Sequence, residues 1–192
     1  MIDYSEILIS DLDEIEGLYR KHLDNGSMLR ERIEEVLCSE KTLSCKATDK
    51  ETGKIAGIII YTYGISFSCG HPELCKKVED IIGDSYIYTG ESFLVDNSYR
   101  GQHISSNMMN CINCKFKEIR RDLNKDIYVL HEMWVYPDGK IPAYNFVNKI
   151  YGVSNDLGII KGFYKEYYLK GHLCPVCGEK CVCSAKITLS KI

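Results

Sequence analysis

The segment Glu91-Ser-Phe-Leu-Val-Asp-Asn-Ser-Tyr-Arg-Gly-Gln-His-Ile-Ser105 predicts a strand, a tight turn and the start of a helix. Phe93 and Val95 stand two residues apart, the spacing at which side chains recur on one face of a strand. The run Asp96-Asn-Ser98 then supplies turn residues. Beyond it, apolar residues recur at helical spacing, at Ile104, Met108, Cys111, Ile112, Phe116, Ile119 and Leu123. Because a helix N-terminus offers unpaired N–H groups and partial positive charge, this loop suits the binding of a phosphate group.

The composition is ordinary for a globular protein with one core. The chain has 192 residues, of which 45% are apolar and 27% charged, and its net charge is -3. That charge argues against nucleic acid as the main partner, and no apolar run is long enough to cross a membrane. Asp3 and Glu6 are atypical of a signal peptide. We therefore expect a cytoplasmic protein, without nucleic-acid or membrane partners, whose ten cysteines are thiols or metal ligands rather than disulfides.

The predicted elements mix strands and helices along the chain. A first strand is predicted over Tyr4–Ile9, and helices begin at Ser10 and Ser27. The other predicted strands are Leu43–Ala47, Ile55–Tyr63, Tyr86–Val95, Ile127–Tyr136, Gly158–Leu169 and Cys183–Ile192. The other predicted helices are Pro72–Ile82, His103–Asp122 and Pro142–Tyr151.

The strand–turn–helix segment resembles motif A of the GNAT superfamily, the acetyl-CoA-dependent N-acyltransferases. In that family a strand ending in Val is followed by a short loop and then by Arg/Gln-x-x-Gly-x-Gly/Ala at the start of a helix. Val95 and Arg100 stand at the family's spacing, whereas His103 and Ser105 replace the two glycines. Farther along the chain, Ala143–Ile150 resembles the family's motif B.

This resemblance implies a fold and a reaction. The fold is the α/β (α+β) GNAT fold, here a single domain over residues 1–192 with a mixed central sheet of about seven strands flanked by helices. The predicted order of elements agrees with that fold across nearly the whole chain. The reaction is the transfer of an acetyl group from acetyl-CoA to a primary amine carried by a small molecule or a peptide. A homodimer is expected only by analogy with the family.

The resemblance also implies where the coenzyme binds. In the family the fourth strand separates from the fifth, and its exposed backbone groups bind the pantetheine arm and the acetyl carbonyl. The matching residues here are Phe93, Leu94 and Val95. The pyrophosphate would lie on the loop that follows, at Arg100, Gly101, Gln102, His103, Ile104 and Ser105.

A proton donor for the leaving thiolate is the first catalytic group that this chemistry needs. In the family it is usually a tyrosine of motif B, and the matching position here is Val147. Tyr151 lies one helical turn later on the same face, so it is the preferred substitute, with Tyr144 second. The alternative for Tyr151 is a packing residue, with solvent as the proton donor.

A general base for the attacking amine is the second group. Glu91 has the same strand parity as Phe93, so we expect both side chains on one face. Glu132 and His131 on the next strand are rivals, and since neighbours alternate, only one of these two faces the cleft. A carboxylate in a partly apolar cleft can act as a base because its pKa is raised toward the working pH. The alternative is a surface ion pair.

A cysteine-rich segment, residues 171–184, forms the predicted tip of the last hairpin. Cys174-Pro-Val-Cys177-Gly has the form of a zinc knuckle, in which a tight turn aims two thiolates at one point. Cys181 and Cys183 are two residues apart in a predicted strand, so they share a face. The pattern predicts a closed, structural Zn²⁺ site with Cys174, Cys177, Cys181 and Cys183 as ligands. Free thiols, a redox pair and an iron–sulfur cluster are the alternatives.

The other cysteines give weaker signals. Cys111 and Cys114 lie on the helix of motif A, and core packing is the preferred interpretation. Cys69, His71 and Cys75 flank a predicted helix and would form a second metal site only as a minor alternative.

Two rival functions remain open beside the acetyltransferase. The first is an acyl-CoA-binding regulatory module without turnover, which the replaced glycines and Val147 favour. The second is a zinc-dependent module that docks a protein partner through its cysteine hairpin.

Overall fold

The structure is a computed structural model that describes residues 1–65, 70–136, 138–165, 172–178 and 181–192. Seven strands and five α-helices are described. The strands are β1 (Ile2–Ser5), β2 (Leu43–Asp49), β3 (Ile55–Tyr63), β4 (Tyr86–Val95), β5 (Ile127–Val135), β6 (Asn155–Ile160) and β7 (Ser184–Lys191). The helices are α1 (Leu12–His22), α2 (Leu29–Cys38), α3 (Pro72–Ile82), α4 (Ile104–Leu123) and α5 (Pro142–Tyr151). No helix in the described part of the chain is both long and apolar enough to span a membrane.

One mixed sheet organises the fold. Its strand order is β1-β2-β3-β4-β5-β7-β6. The β4–β5 pair is parallel, and every other neighbouring pair is antiparallel. The parallel pair needs a crossover connection, which α4 provides. The predicted mixed sheet of seven strands with flanking helices is confirmed.

Helices cover both faces of the sheet. On one face α4 and α5 bury a cluster that includes Met108, Phe116 and Tyr61. On the other face α1 and α2 pack over the β3–β4 side of the sheet, while α3 packs over the β4–β5–β7 side. A cleft through the sheet would therefore be bordered by α4 and α5 on one face and by α1, α2 and α3 on the other.

The observed bounds differ most from the predicted ones at the first and sixth strands. The first strand ends at Ser5 rather than Ile9, because a 3-10 turn over Ile9–Asp11 follows, in which the Asp11 carboxylate accepts a hydrogen bond from the Leu8 N–H at 2.7 Å. The sixth strand spans Asn155–Ile160 rather than Gly158–Leu169. Gly162, with φ of 64°, begins a turn that ends it. Residues 166–169 of the predicted strand lie outside the described residues.

Candidate functional site

A cleft opens between β4 and β5. The two strands pair only from Tyr86 with Ile127 to Thr89 with Leu130. Beyond that point β4 continues to Val95 bonded to β3, and β5 continues bonded to β7. We call this gap the cleft. Along it, no described strand pairs with the β5-facing edge of β4, so its backbone groups can bind an extended ligand.

A β-bulge in β4 lies at the start of the cleft. Tyr61 of β3 pairs with Gly90 and Ile60 pairs with Ser92, which leaves Glu91 as the extra residue. The bulge changes the parity of the strand, so Glu91 does not share the face of Phe93. Phe93 packs on the α4 side of the sheet, whereas the charges that act on Glu91 are those of Arg32 and His172, on the α1–α2 side. The expectation from strand parity was wrong because a bulge shifts the alternation by one residue.

The environment of Glu91 suits a base. Glu91 is exposed to solvent, yet the surrounding protein removes part of the hydration of its carboxylate. This desolvation raises the pKa of Glu91, while Arg32 and His172 act in the opposite direction. Tyr19 of α1 lies on this same face of the sheet, and its hydroxyl is hydrogen-bonded to that of Ser92.

The rival residues of β5 face opposite sides of the sheet. His131 is 4% exposed, and its Nε2 lies 3.1 Å from the Ser190 hydroxyl. Burial lowers the pKa of His131 to about 3, so the imidazole is neutral at pH 7. Glu132 is half-buried and, by alternation, lies on the same face of the sheet as Glu91.

The loop after β4 is fixed by Asp96. Its carboxylate accepts hydrogen bonds from Lys21 Nζ at 2.6 Å and from the Ser98 N–H at 3.0 Å. The Lys21 ammonium, together with the Ser98 donors, holds the pKa of Asp96 well below its usual range. Asp96 is 7% exposed, so this ion pair ties the loop firmly to the end of α1. Reasoning from sequence treated Asp96 only as a turn residue.

The first turn of α4 is open to an anion. The helix is 20 residues long and its N-cap residue, His103, makes no side-chain cap hydrogen bond. The N–H groups of residues 104–106 therefore have no partner within the helix. Gly101, with φ of 81°, and His103, with φ of 58°, both adopt the left-handed conformation. Holding His103 in this conformation costs about 1 kcal/mol, and Arg100 and Gln102 are exposed beside it.

Tyr151 lies on the α4 side of the sheet. Its hydroxyl donates to Met109 Sδ at 2.6 Å and lies 3.4 Å from the Tyr61 hydroxyl. Burial raises the pKa of Tyr151. Its ring stacks on His131, with the centroids 5.4 Å apart. Tyr144, the second choice, instead lies under the Lys186 ammonium at 5.7 Å.

Four cysteine sulfurs meet at one point. The Sγ atoms of Cys174, Cys177, Cys181 and Cys183 all lie within 4.8 Å of one another. Cys177 Sγ lies 3.3 Å from Cys174 Sγ and 3.4 Å from Cys183 Sγ, and Cys174 and Cys183 are 3.8 Å apart. Four thiolates around Zn²⁺ with bonds of about 2.3 Å would lie about 3.8 Å from one another. The cluster therefore has the size of a tetrahedral metal site.

The surroundings of the cluster favour a thiolate at Cys177, whereas burial raises the pKa of Cys181 and of Cys183. Burial opposes ionisation, but the Cys174 thiol and the backbone N–H of Val182 lower the pKa of Cys177 to about 7. Burial raises the pKa of Cys183 to about 11, and the Trp134 indole acts against this rise. The Trp134 N–H is buried and makes no hydrogen bond that meets normal geometry with any described residue. A metal-bound thiolate at Cys183 would accept that N–H.

The turn within the cluster has the form expected of a knuckle. Gly178 adopts φ of 64°, and its N–H donates to the Cys174 carbonyl at 2.9 Å. Residues 171, 179 and 180 of the predicted hairpin tip lie outside the described residues.

Among the described residues, the remaining cysteines form no such group. Cys111 of α4 packs at the edge of the core, and after burial it is the next cause of the raised pKa of Cys45. Cys114 is exposed. His71 stacks on Phe163 with the ring centroids 4.7 Å apart. Cys69 lies outside the described residues. Within the part of the chain that is described, the four-cysteine cluster is the one set of metal-ligating side chains that meets in space.

Comparison by sequence matches the chain to no protein-family model and to no curated protein. Comparison of the structure gives matches over its full length. Arabidopsis thaliana NAA60, solved with acetyl-CoA, matches with a TM-score of 0.70 and 15% identity, over 100% of this chain and 99% of its own. The chain has the GNAT fold.

Two other solved structures also match over the full length of this chain. The ribosomal-protein-S18-alanine N-acetyltransferase of Escherichia coli has a TM-score of 0.62 and 14% identity, over 100% of this chain and 94% of its own. A mosquito arylalkylamine N-acetyltransferase-like protein has a TM-score of 0.62 and 12% identity, over 100% of both chains.

The residues predicted from sequence fall into two groups around the GNAT cleft. The predicted coenzyme residues of β4 lie along the edge of the cleft, with Phe93 on the α4 side of the sheet and Leu94 on the α1–α2 side. Glu91 is also on the α1–α2 side, and Glu132 lies on that same face of the sheet. Tyr151 lies on the opposite face, with its hydroxyl at the core. Asp24, which joins the α1–α2 loop to the cysteine segment, was missed, although Asp-Asn-Gly is a turn signal.

Proposed function

We propose that this protein is an N-acetyltransferase that moves an acetyl group from acetyl-CoA to a primary amine. The observation that carries the proposal is the end of β4–β5 pairing at Thr89 and Leu130, beside the uncapped N-terminus of α4. The pantetheine arm needs backbone partners along an extended path, and the pyrophosphate needs convergent N–H groups. The cleft supplies the first and α4 the second. The acetyl-CoA in the NAA60 structure, which has the same fold, supports this choice of donor.

Glu91 is the proposed general base. The amine nitrogen attacks the thioester carbonyl, so the new N–C bond forms as the C–S bond breaks, and the ammonium proton must leave. Glu91 lies at the start of the cleft on the face covered by α1 and α2, and its raised pKa favours proton uptake. Glu132, on the same face of the neighbouring strand, is the second candidate. Neutral, buried His131 faces away from this side.

Tyr151 is the proposed acid for the leaving thiolate. Its hydroxyl lies next to that of Tyr61, the residue paired with Gly90 at the base of the cleft. To reach a thiolate in the cleft, the hydroxyl must exchange its hydrogen bond with Met109 for one with the sulfur. Burial raises the pKa of Tyr151, so the group holds its proton until the thiolate forms.

The cysteine cluster is proposed to bind one structural Zn²⁺. All four ligands come from the chain, which leaves no open position for substrate, so the metal would supply folding energy rather than catalysis. Metal analysis of protein purified without chelator is expected to give about one equivalent of zinc. A content below about a tenth of an equivalent would contradict the site.

Calorimetry with acetyl-CoA is the first test of the proposed function. Wild-type protein is expected to bind, and Arg100→Glu is expected to bind at least about tenfold more weakly, because it places a negative charge beside the pyrophosphate. Arg121→Glu is the matched control: it is also exposed on α4 but lies near the other end of the helix, paired with Asp122. Absence of binding by the wild type, or equal loss in both variants, would contradict the proposed coenzyme site.

The second candidate is an acyl-CoA-binding module without turnover. It is favoured by the hydrogen bond that already engages the Tyr151 hydroxyl with Met109. The two functions are distinguished by measuring thiol release from acetyl-CoA with a panel of polyamines, arylalkylamines and peptides bearing free N-termini. Binding without thiol release across the panel would favour the module.

A further inference from the structure

Asp24 is a buried carboxylate in the loop that joins α1 to α2. It is 1% exposed, and both of its oxygens have partners. Oδ1 accepts from the backbone N–H of Gly26 at 2.7 Å and from that of Leu173 at 2.8 Å. Oδ2 pairs with the Arg32 guanidinium and with His172 Nδ1, the latter at 2.9 Å. A buried carboxylate with this many donors holds its neighbours in fixed positions.

The partners of Asp24 belong to two parts of the chain. Gly26 and Arg32 are in the α1–α2 loop and helix α2, whereas His172 and Leu173 immediately precede the first cysteine of the cluster. The backbone adds a further bond, since the Asn25 N–H donates to the Leu173 carbonyl at 3.2 Å. The loop and the cysteine segment are therefore joined by hydrogen bonds in both directions.

The cysteine cluster completes the connection to the sheet. Cys174 follows Leu173 directly, and its Sγ lies 3.8 Å from that of Cys183, the residue before β7. A metal shared by these sulfurs would fix the segment to β7 at one end, while Asp24 fixes it to α2 at the other.

Two of these partners of Asp24 also lie near Glu91, at the start of the cleft. Arg32 and His172 both lie near enough to Glu91 to act on its pKa. Asp24 contacts both of these side chains, and α2, which carries Arg32, packs over the β3–β4 side of the sheet where the cleft begins. The coenzyme loop is held differently, by Lys21 and Asp96.

We propose that Asp24 is a positioning residue through which metal at the cysteine cluster orders the acceptor side of the cleft and leaves the coenzyme side unchanged. The term "acceptor side" rests on the proposed acetyltransferase function, but the mechanical coupling does not. A metal at the cluster orders the segment before Cys174, and Asp24 passes that order to the α1–α2 loop and to Arg32.

Hydrogen–deuterium exchange of the full chain tests this coupling without any acceptor. In wild-type protein, removal of zinc with a chelator is expected to speed exchange about tenfold in peptides that cover residues 23–28, the effect of losing one hydrogen bond. Peptides that cover residues 96–104 are expected to change less than about twofold. The affinity for acetyl-CoA, measured on the same samples, is expected to stay unchanged.

Asp24→Asn is the decisive variant, because it keeps the size of the side chain and removes the charge. It is expected to bind zinc normally, to show the fast exchange over residues 23–28 with zinc present, and to change less than about twofold further when zinc is removed. Asp13→Asn is the matched control, since this exposed carboxylate on α1 pairs with Arg30 at the surface.

The absorption spectrum of the cobalt-substituted protein separates positioning from collapse of the cluster. An unchanged thiolate–Co²⁺ spectrum in Asp24→Asn, together with fast loop exchange, supports the proposal. Three results overturn it: no metal in purified protein, loop exchange that does not respond to zinc removal, or an additive effect of zinc removal in Asp24→Asn. If acetyl-CoA does not bind to the wild type, the proposed function fails while the exchange experiment still decides the coupling.

Discussion

The two sides of the cleft are held together by different kinds of contact. On the coenzyme side, Asp96 bonds to Ser98, two residues away, and the loop leads directly into α4. On the opposite side, Asp24 bonds to Leu173, which is 149 residues away, and the cluster joins Cys174 to Cys183. The coenzyme side combines this local turn and helix chemistry with one long-range ion pair, between Asp96 and Lys21 of α1. The other side depends on contacts that exist only once the chain has folded.

This difference has a thermodynamic consequence. A local turn loses little entropy when it forms, whereas joining segments far apart in sequence must offset a larger loop-closure cost. A buried ion pair or a metal site can supply that free energy, and Asp24 and the four cysteines are found on the long-range side. We therefore expect the acceptor side to be the more sensitive of the two to metal, pH and mutation.

Loss of the metal should give the largest effect. The double variant Cys174→Ser/Cys177→Ser removes two of four ligands, and its zinc content is expected to fall below about a tenth of an equivalent. Its free energy of unfolding is expected to fall by about 4 kcal/mol, the gain from a ligand present at a thousandfold excess over its Kd. Urea unfolding and metal analysis measure both quantities.

A matched control is available for this variant. Cys38→Ser/Cys114→Ser also removes two thiols, but both are exposed and lie outside the cluster. It is expected to keep its zinc and its stability. Equal destabilisation by the two double variants would show that the cluster has no special role.

Replacement of Glu91 should give the next largest effect. Glu91→Gln is expected to lower kcat about a hundredfold, the usual loss for a general base. The raised pKa means that the acidic limb of the wild-type pH–rate profile lies above the ordinary glutamate value of 4.5. That limb should disappear in Glu91→Gln. Thiol release measured from pH 5 to 9 gives both results.

The stability of Glu91→Gln sharpens the assignment. A carboxyl group whose pKa is raised by folding binds protons more tightly in the folded state, so it stabilises the fold at low pH and loses that contribution as the pH rises. Removing the charge should therefore raise the free energy of unfolding at pH 8 while lowering activity. Glu132→Gln tests the rival on the same face; if it abolishes the limb instead, the base is Glu132.

The same contrast explains how much of this molecule could be predicted from its sequence. The bounds of β3, β4, α3 and α5 were predicted to the residue, because periodicity and proline positions are local signals. The facing of Glu91 was not, since the bulge at this residue depends on how β3 and β4 pair. Asp24 was missed for the same reason: its main partners, His172 and Leu173, are remote in sequence.

Acid should weaken the Asp24 contacts before it affects the coenzyme loop. Burial would raise the pKa of Asp24, but its hydrogen bonds from His172, Leu173 and Gly26 lower it to about 2, from 3.8. Such a group stabilises the fold by about 2 kcal/mol above pH 4, and this contribution is lost as the pH falls toward 2. The difference in unfolding free energy between wild type and Asp24→Asn should therefore shrink between pH 5 and pH 2.5. A difference that stays constant with pH would show that the carboxylate charge is not its source.

Restoring the glycine at position 103 should give the smallest effect, and it tests the coenzyme side alone. His103 adopts φ of 58° at the N-cap of α4, a conformation that glycine adopts without strain. His103→Gly is expected to raise the free energy of unfolding by about 0.5 kcal/mol, after the added entropy of the unfolded chain is subtracted. Removing the imidazole also clears the approach to the first turn, so acetyl-CoA should bind about threefold more tightly. Asn124→Gly relaxes the other left-handed residue of the same helix, with φ of 49°, far from the loop, and should leave coenzyme affinity unchanged. Tighter binding by both variants would mean that helix stability, rather than access to the α4 N-terminus, limits the coenzyme side.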